Sequence, residues 1–470
     1  MPQPGTGASQ AHELMLDIEP DLSKNLFPLI DFTGGAVAAV SGGSDSTALL
    51  LLLKRHLDQT APSTRLLAVT VDHGLRWGSA AEAQAVARLC AERGIAHRVM
   101  AWSGDKPSTG LPAAAREARY RLLAQAARSE RLGLIVTGHT LDDQAETVLM
   151  RHARDDRRDS DELAGRGLAG MAPATLHDWR EWIVRPVLGV RRSALRRFLR
   201  REQVGWAEDP TNADEAFERP RMRAALAGDA RRADHALALA GEAATARSRL
   251  GAAAAELIDR FARQPAAGLI RLDPGLLSAG NDPAAVYALR ILLATTGGLA
   301  FLPDESRGAA LFGRLKAGFF CATLSRTVVD CRRAGIFLRR EMRGLPAPGA
   351  VADGAVWDGR RRVTFSDRGS ALSIAPCGLA AAKGRAGAAG EVPPSLLRAA
   401  LAGEPVSRLA VENDEPLQGA APSSEFATRP VIAPFARFMP SFDLAPARAV
   451  ASLIGAEPVP ASPLRGHSDG

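Results

Sequence analysis

An apolar run, Ala36 to Val40, leads into Ser41-Gly42-Gly43-Ser44-Asp45-Ser46, and a second apolar run, Thr47 to Leu53, leaves it. The order reads strand, glycine-rich turn, helix, which ties the chain to an architecture that can hold such a turn at a sheet edge. Adjacent glycines allow positive φ and close backbone approach, while successive N–H groups at a helix start point their positive ends at whatever lies above. The stretch is an anion cradle, phosphate first among its ligands, or an ordinary βα turn with serine as helix N-cap; six residues leave both open. A Walker A loop is excluded, because no Lys follows the second glycine. Asp45 stands where that loop would be positive. Beside a triphosphate its carboxylate needs an intervening cation, which points to Mg²⁺ bridging Asp45 and the phosphates.

The same grammar recurs along the chain. Leu66 to Val71 ends in Asp72-His73-Gly74, Ser79 to Gly94 has helical period with Ser79 as cap, and His97 to Trp102 is a third strand. Pro112 opens a helix to Arg131 that Gly133 closes, Leu134 to Val136 delivers Thr137-Gly138-His139, and Leu141 to His152 is helical again. Strands alternating with helices predict βαβ units and a parallel sheet, whose ligands bind at the carboxyl ends of the strands. The polar clusters at Ser41, Asp72 and Thr137 all begin at such an end. Trp182 to Val187 is a fifth strand. The expected fold is α/β, a Rossmann-like parallel-sheet domain, followed by a helical module and a smaller α+β C-terminal region. Boundaries fall at 1–30 for a lead-in, 31–215 for the sheet domain, 216–300 for the helical module and 301–470 for the remainder. In the last region Thr323 to Val329 and Ile336 to Leu338 are β-like, and Val356-Trp357-Asp358-Gly359 with Arg362 to Phe365 suggests a hairpin.

The chain has 470 residues, enough for several domains, and a formal net charge of +7 carried mostly by Arg. Either a polyanionic partner or codon bias explains that excess, so position must decide. Cys90, Cys321, Cys331 and Cys377 form no C-x-x-C pair and no metal spacing with His, and read as reduced, cytosolic thiols. Met1 to Pro20 does not read as a secretory signal, and no apolar run is long enough to span a bilayer. A cytoplasmic protein with no membrane partner is expected, its oligomeric state left open, a homodimer included.

Two further patterns carry chemistry. Asp142 and Glu146 stand at i, i+4 just past Gly138-His139, with Asp143 between them. Like charges on one helix face suit a bound cation, Mg²⁺ or an amine, or else a solvated acidic first turn. Arg116, Arg119 and Tyr120 precede them on the previous helix. Arg192, Arg196 and Arg200 fall at i, i+4, i+8 on a helix whose Leu195, Phe198 and Leu199 can dock, so its cationic face is either solvated or a polyanion grip.

Ser41 to Ser46 resembles the SGGxDS loop of the N-type ATP pyrophosphatases, the PP-loop family. Val71 to Arg76, Ala115-Arg116 through Arg119-Tyr120, Gly138-His139 with Asp142 to Thr147, Arg166-Gly167 with Gly170-Met171, Arg185 to Leu188, and Asp209 to Asn212 with Phe217 are together similar to the tRNA(Ile)-lysidine synthetase family. The resemblance covers Gly35 to Leu226. It implies that ATP, with Mg²⁺, adenylates the C2 carbonyl of the anticodon cytidine (CAU) of tRNA(Ile), and that free L-lysine displaces AMP. It further implies ATP contacts from Ser41, Gly42, Gly43, Ser44, Asp45, Ser46, Asp72, His73, Gly138 and His139, and catalytic roles for Asp45, Asp142 and Arg116. Lysine would lie on Asp142, Asp143 and Glu146, and the Arg192, Arg196 and Arg200 face would grip tRNA. Arg219-Pro220-Arg221-Met222-Arg223 departs from the family's Asn-bearing motif. Competing readings are a PP-loop tRNA thiolase, which needs a cysteine pair where Cys90 stands alone, an amidotransferase synthetase, which needs an early cysteine, and a non-catalytic RNA-binding protein with a relic loop.

Overall fold

The computed structural model describes residues 22–74, 78–155, 167–208, 218–226, 229–365, 372–385, 392–409 and 426–465. The lead-in before Leu22, Leu75-Arg76, the segment around Arg166, the Asp209 to Phe217 motif and the tail after Arg465 lie outside the described residues. The chain forms two compact units, one drawn from Met1–Asp159, Gly167–Gly241 and Ala461–Asp469, the other from Glu242–Pro460. Among the described residues no helix is long and apolar enough to cross a membrane.

In the first unit β1 (Ala36–Ala39), α1 (Ser44–Thr60), β2 (Leu66–Asp72), α2 (Ser79–Glu92), β3 (Ala96–Ala101), α3 (Leu111–Glu130), β4 (Leu134–Thr137) and α4 (Leu141–Asp155) alternate as expected. β5 (Ala174–His177), β6 (Glu181–Val184) and α5 (Arg192–Arg201) follow, and the strand order is β5-β6-β4-β1-β2-β3. β1 and β4 are buried at every position, as central strands covered on both faces must be. Ala38 pairs in parallel with Ala68 on one side and Val136 on the other. Leu50 of α1 packs with Ala38, Val86 and Cys90 in one core cluster. The chain runs outward through β2 and β3, then returns to β4 on the far side of β1. That reversal opens a crevice at the carboxyl ends of β1 and β4, where Ser41 and Gly138 emerge.

Local details differ from expectation for identifiable reasons. Gly78, at φ 103, caps α2, and Ser79 is the first helical residue. The residue that ends α3 in the left-handed region is Arg131 (φ 56), ahead of Gly133. β5 was not anticipated: it is short, buried throughout and antiparallel to β6, so it shows no alternation.

The 216–300 stretch, expected as one helical module, is divided. α6 (Glu218–Leu226) and the start of α7 (Ala230–Phe261) belong to the first unit, where Ala236 and Ala240 pack on Val148. Beyond α7 come β7 (Ala262–Ala266), β8 (Leu269–Leu272) and α8 (Asp282–Gly297), all in the second unit. Leu269 buries there against Phe337 and Leu396, and helical period alone could not reveal that partner. α8 is buried on every face from Ala284 onward. The expected strand Thr323 to Val329 is two, β9 (Phe320–Leu324) and β10 (Thr327–Arg332), turned by Ser325 and Arg326 at φ 53 and 59. Such a turn normally advertises itself with Gly or Asn, and this one does not. With β11 (Gly335–Arg340) the sheet order is β7-β8-β11-β10-β9. The expected hairpin is present, Val356–Trp357 pairing with Arg361–Phe365 across Asp358 and Gly359.

Cys90 lies fully buried on the inner face of α2, and burial pushes its thiol up to about 11. Cys331 and Cys377 are buried as well, and Cys321 is exposed. An aromatic disulfide reagent at pH 8 is expected to titrate one thiol rapidly in the native protein and all four only after unfolding. Rapid native labelling of Cys90, located by peptide mapping, would contradict this core.

Candidate active site

Gly42, at φ +85, turns the chain out of β1, and Gly43 is the N-cap of α1 with no side chain capping it. The first N–H groups of α1 are therefore not satisfied by a serine cap, which removes the bland alternative for this loop. The serines instead brace the turn. Ser41 N–H donates to Ser46 Oγ at 3.1 Å, and Ser46 Oγ donates to Gly43 O at 3.2 Å. Opposite, Gly138 lies so near the loop that a Cβ there would meet backbone atoms of Asp45 and Ser46 at 3.0 Å. No other residue fits without moving one of the two turns.

That approach brings the turn into α4 against the cradle. Thr140 and Asp143 form a reciprocal cap: Thr140 N–H and Oγ1 donate to Asp143 Oδ2 at 2.8 and 2.9 Å. Asp143 Oδ1 faces inward. Asp142 Oδ2 accepts the Arg192 N–H at 2.7 Å, which fixes the start of α5 beside α4. Glu146 is 1% exposed. Burying these acids requires cations, and the chain supplies them. Arg192 donates from Nε to Asp45 at 2.8 Å and from Nη2 to Asp143 at 2.9 Å, with Nη1 3.7 Å from Glu146. Arg219 Nε and Arg223 Nε donate to Glu146 at 2.9 and 2.8 Å. Burial opposes the Arg192 charge, but Asp143, Asp45 and Glu146 outweigh it and hold that guanidinium above its ordinary value.

A second, cationic group lies behind. Arg185 is buried, its Nη1 donating to Ala172 O at 2.7 Å and to Thr175 Oγ1 at 3.0 Å, and its Nε has no hydrogen-bond partner. Burial, then Arg185 and Arg119, hold His139 well below the ordinary imidazole value, so it is neutral near pH 7. Thr137 Oγ1 donates to Val184 O at 3.3 Å and stands 3.0 Å from His139 Nδ1. At the end of β2, Gly74 N–H donates to Asp72 Oδ1 at 2.8 Å. That bond, with one from the Ser79 side chain, holds the Asp72 carboxyl below the usual carboxylate range. Burial, then Arg119, lowers His73.

The loop, Asp142, Asp143, Glu146, Gly138 and His139 thus come together, with Asp72 and His73 at the end of the neighbouring strand. One expectation needs correcting. Arg192 is no part of an outward RNA face, because the start of α5 abuts α4 and its guanidinium is taken by three carboxylates. Arg116, expected as a catalytic residue, lies exposed on α3 with its guanidinium 5.0 Å from the Tyr120 ring, and its charge is among those that lower His139. Arg196 reaches Ser44, Nε to Oγ 3.4 Å, while Arg200 stays outside beside Trp206. Sequence reasoning missed Arg219 and Arg223 as site residues. Their signal was present, two arginines four apart in the stretch set aside as a departure.

A family model described as "PP-loop domain" matches residues 22–229. A tRNA(Ile)-lysidine synthase from Mesorhizobium japonicum is 71% identical over 97% of this chain and 100% of its own length. The chain belongs to the tRNA(Ile)-lysidine synthase family. A second relative of that name, from Brucella melitensis biotype 2, is 41% identical over 73% of this chain and 76% of its own length. The fold is accordingly that of an ATP-using PP-loop enzyme.

Arg192→Met leaves Asp45, Asp143 and Glu146 facing one another without their shared cation. A loss of about 3 kcal/mol is expected in chemical denaturation, as for breaking a buried ion pair. An unchanged midpoint would show that the cluster does not depend on Arg192. His139 has a lowered folded pKa, so below the ordinary imidazole value of about 6.5 the unfolded chain binds more protons and stability falls as pH falls. His139→Gln should flatten the fall in melting temperature from about pH 6.5 downward. Parallel curves for the two proteins would contradict the neutral assignment.

Proposed function

We propose that this chain converts the CAU wobble cytidine of tRNA(Ile) to lysidine, using ATP and free L-lysine. The observation that carries the reading is the Gly138 contact, which sets an anion cradle and an amine-binding acid cluster side by side. A reaction that expels pyrophosphate and then admits an ammonium-bearing nucleophile needs both. The cytidine C2 carbonyl oxygen attacks the α-phosphorus and pyrophosphate leaves toward the uncapped N–H groups of α1, which take up its developing charge. The lysine ε-amine then forms the C–N bond at C2 and AMP departs.

Asp142 is half-buried, and its ion-pair partner Arg191 stands 3.9 Å from Oδ1, so it is the carboxylate suited to hold the incoming ammonium and accept its proton. Asp143 and Glu146 extend that site. The Arg219 and Arg223 side chains, 41% and 34% exposed, can yield their places to an ammonium while the charge balance is kept. Arg192 stays and aligns Asp45. Among the described residues no three carboxylate, imidazole or thiol groups are placed to hold a metal ion between them. The donor set instead suits Mg²⁺ carried by the triphosphate, with Asp45 as a single carboxylate ligand. Such an ion would neutralise the phosphates and orient the leaving group.

The buried, raised Cys90 thiol speaks against the thiolase alternative. The basic charge of the chain supports further tRNA contacts from the second unit. Incubation with unmodified tRNA(Ile), ATP, Mg²⁺ and labelled lysine is expected to place label in a digested nucleoside. Asp45→Ala should abolish incorporation, and Glu146→Gln should raise the KM for lysine by roughly tenfold, the equivalent of one charged hydrogen bond. No label with the unaltered protein would overturn the proposal.

A further inference from the structure

We propose that Trp206, flanked by Arg196 and Arg200, is a stacking subsite for an unpaired RNA base at the edge of the phosphate loop. It rests on the RNA-modifying reading above and adds to it a place for a nucleobase that nothing so far has supplied. Trp206 lies in the irregular segment after α5, and that segment is fastened to the loop itself. Ala207 N–H donates to Gly42 O at 2.9 Å, and a Cβ on Gly42 would lie 3.8 Å from the Ala207 Cβ. The ring therefore cannot shift far without moving the cradle.

Its environment is not that of a core tryptophan. Trp182 and Trp357 are each 4% exposed, whereas Trp206 keeps an intermediate exposure. The Arg196 and Arg200 guanidiniums both lie 5.8 Å from its ring centroid. They come from successive turns of α5 and so approach the ring from the helix side. Among the described residues the acid beside it is Glu208, 71% exposed in its side chain, which accepts from Trp206 Nε1 at 3.4 Å and stands 3.5 Å from Arg196. Cations holding a partly open indole suit an unpaired base that stacks on the ring while its flanking phosphates meet the arginines. Arg196 also reaches Ser44 at 3.4 Å, which links the stacked base to the loop where pyrophosphate would leave.

The test uses the full-length protein and a synthetic anticodon stem-loop of tRNA(Ile) carrying a fluorescent cytosine analogue at the base to be modified. Binding in the presence of ATP should quench the analogue, and Trp206→Phe should retain the quench. Trp206→Leu should lose it and bind the stem-loop roughly 5- to 150-fold more weakly, the range expected for one base–aromatic stack, with ATP affinity and melting temperature kept. Undiminished quench and affinity in Trp206→Leu would overturn the subsite and leave the synthetase reading intact. Loss of ATP affinity in that variant, with stem-loop binding unchanged, would overturn it by assigning the ring to adenine. Equal loss of stem-loop and ATP affinity in both variants would overturn it by making Trp206 a prop for the loop. Failure of the unaltered protein to bind the stem-loop would overturn the RNA reading and the subsite together.

Discussion

Carboxylates brought together out of water repel one another, and everything around the first unit's crevice answers to that constraint. Asp45, Asp143 and Glu146 converge because β1 and β4 are neighbours and Gly138 lets their turns touch. Arg192 bridges them, and Arg219 and Arg223 complete the set of ion pairs. A cluster balanced in this way is stable as built, with Arg192 the most enclosed of its three cations and Arg219 and Arg223 the more exposed.

The cationic group behind the acids has the opposite character. Arg185 is buried with its Nε unpartnered, and the arginines around His139, together with its burial, keep that imidazole neutral. One crevice thus holds uncapped N–H donors, a carboxylate cluster and a group of guanidiniums. Their separation follows from the elements that carry them: the loop after β1, the first turns of α4, and α3 with the end of β6.

Much of this was legible in the sequence because it is local. The loop, its flanking strand and helix, and the acids at Asp142 and Glu146 are contiguous patterns whose periods differ enough to be told apart. The short buried strand β5 and the Ser325-Arg326 turn were illegible, since neither shows alternation or the usual turn residues. The arginines divided along the same line. Spacing placed Arg192, Arg196 and Arg200 on one helix face, and only the neighbours of that helix distinguished them. Arg192 meets acids, Arg196 meets the loop, and Arg200 meets Trp206.

The sequence by itself determined the α/β alternation, the cradle and its lack of a Walker lysine, and the resemblance that family comparison then established. Each depends on residues adjacent in the chain, where propensity and spacing act directly. The tertiary structure alone decided what each charge is for. Coulomb interactions depend on distance and burial, and the partners of Asp45, Glu146 and Trp206 lie far from them or on separate elements. A charged residue announces its sign in the sequence; its partner is fixed only when the fold has removed the water between them.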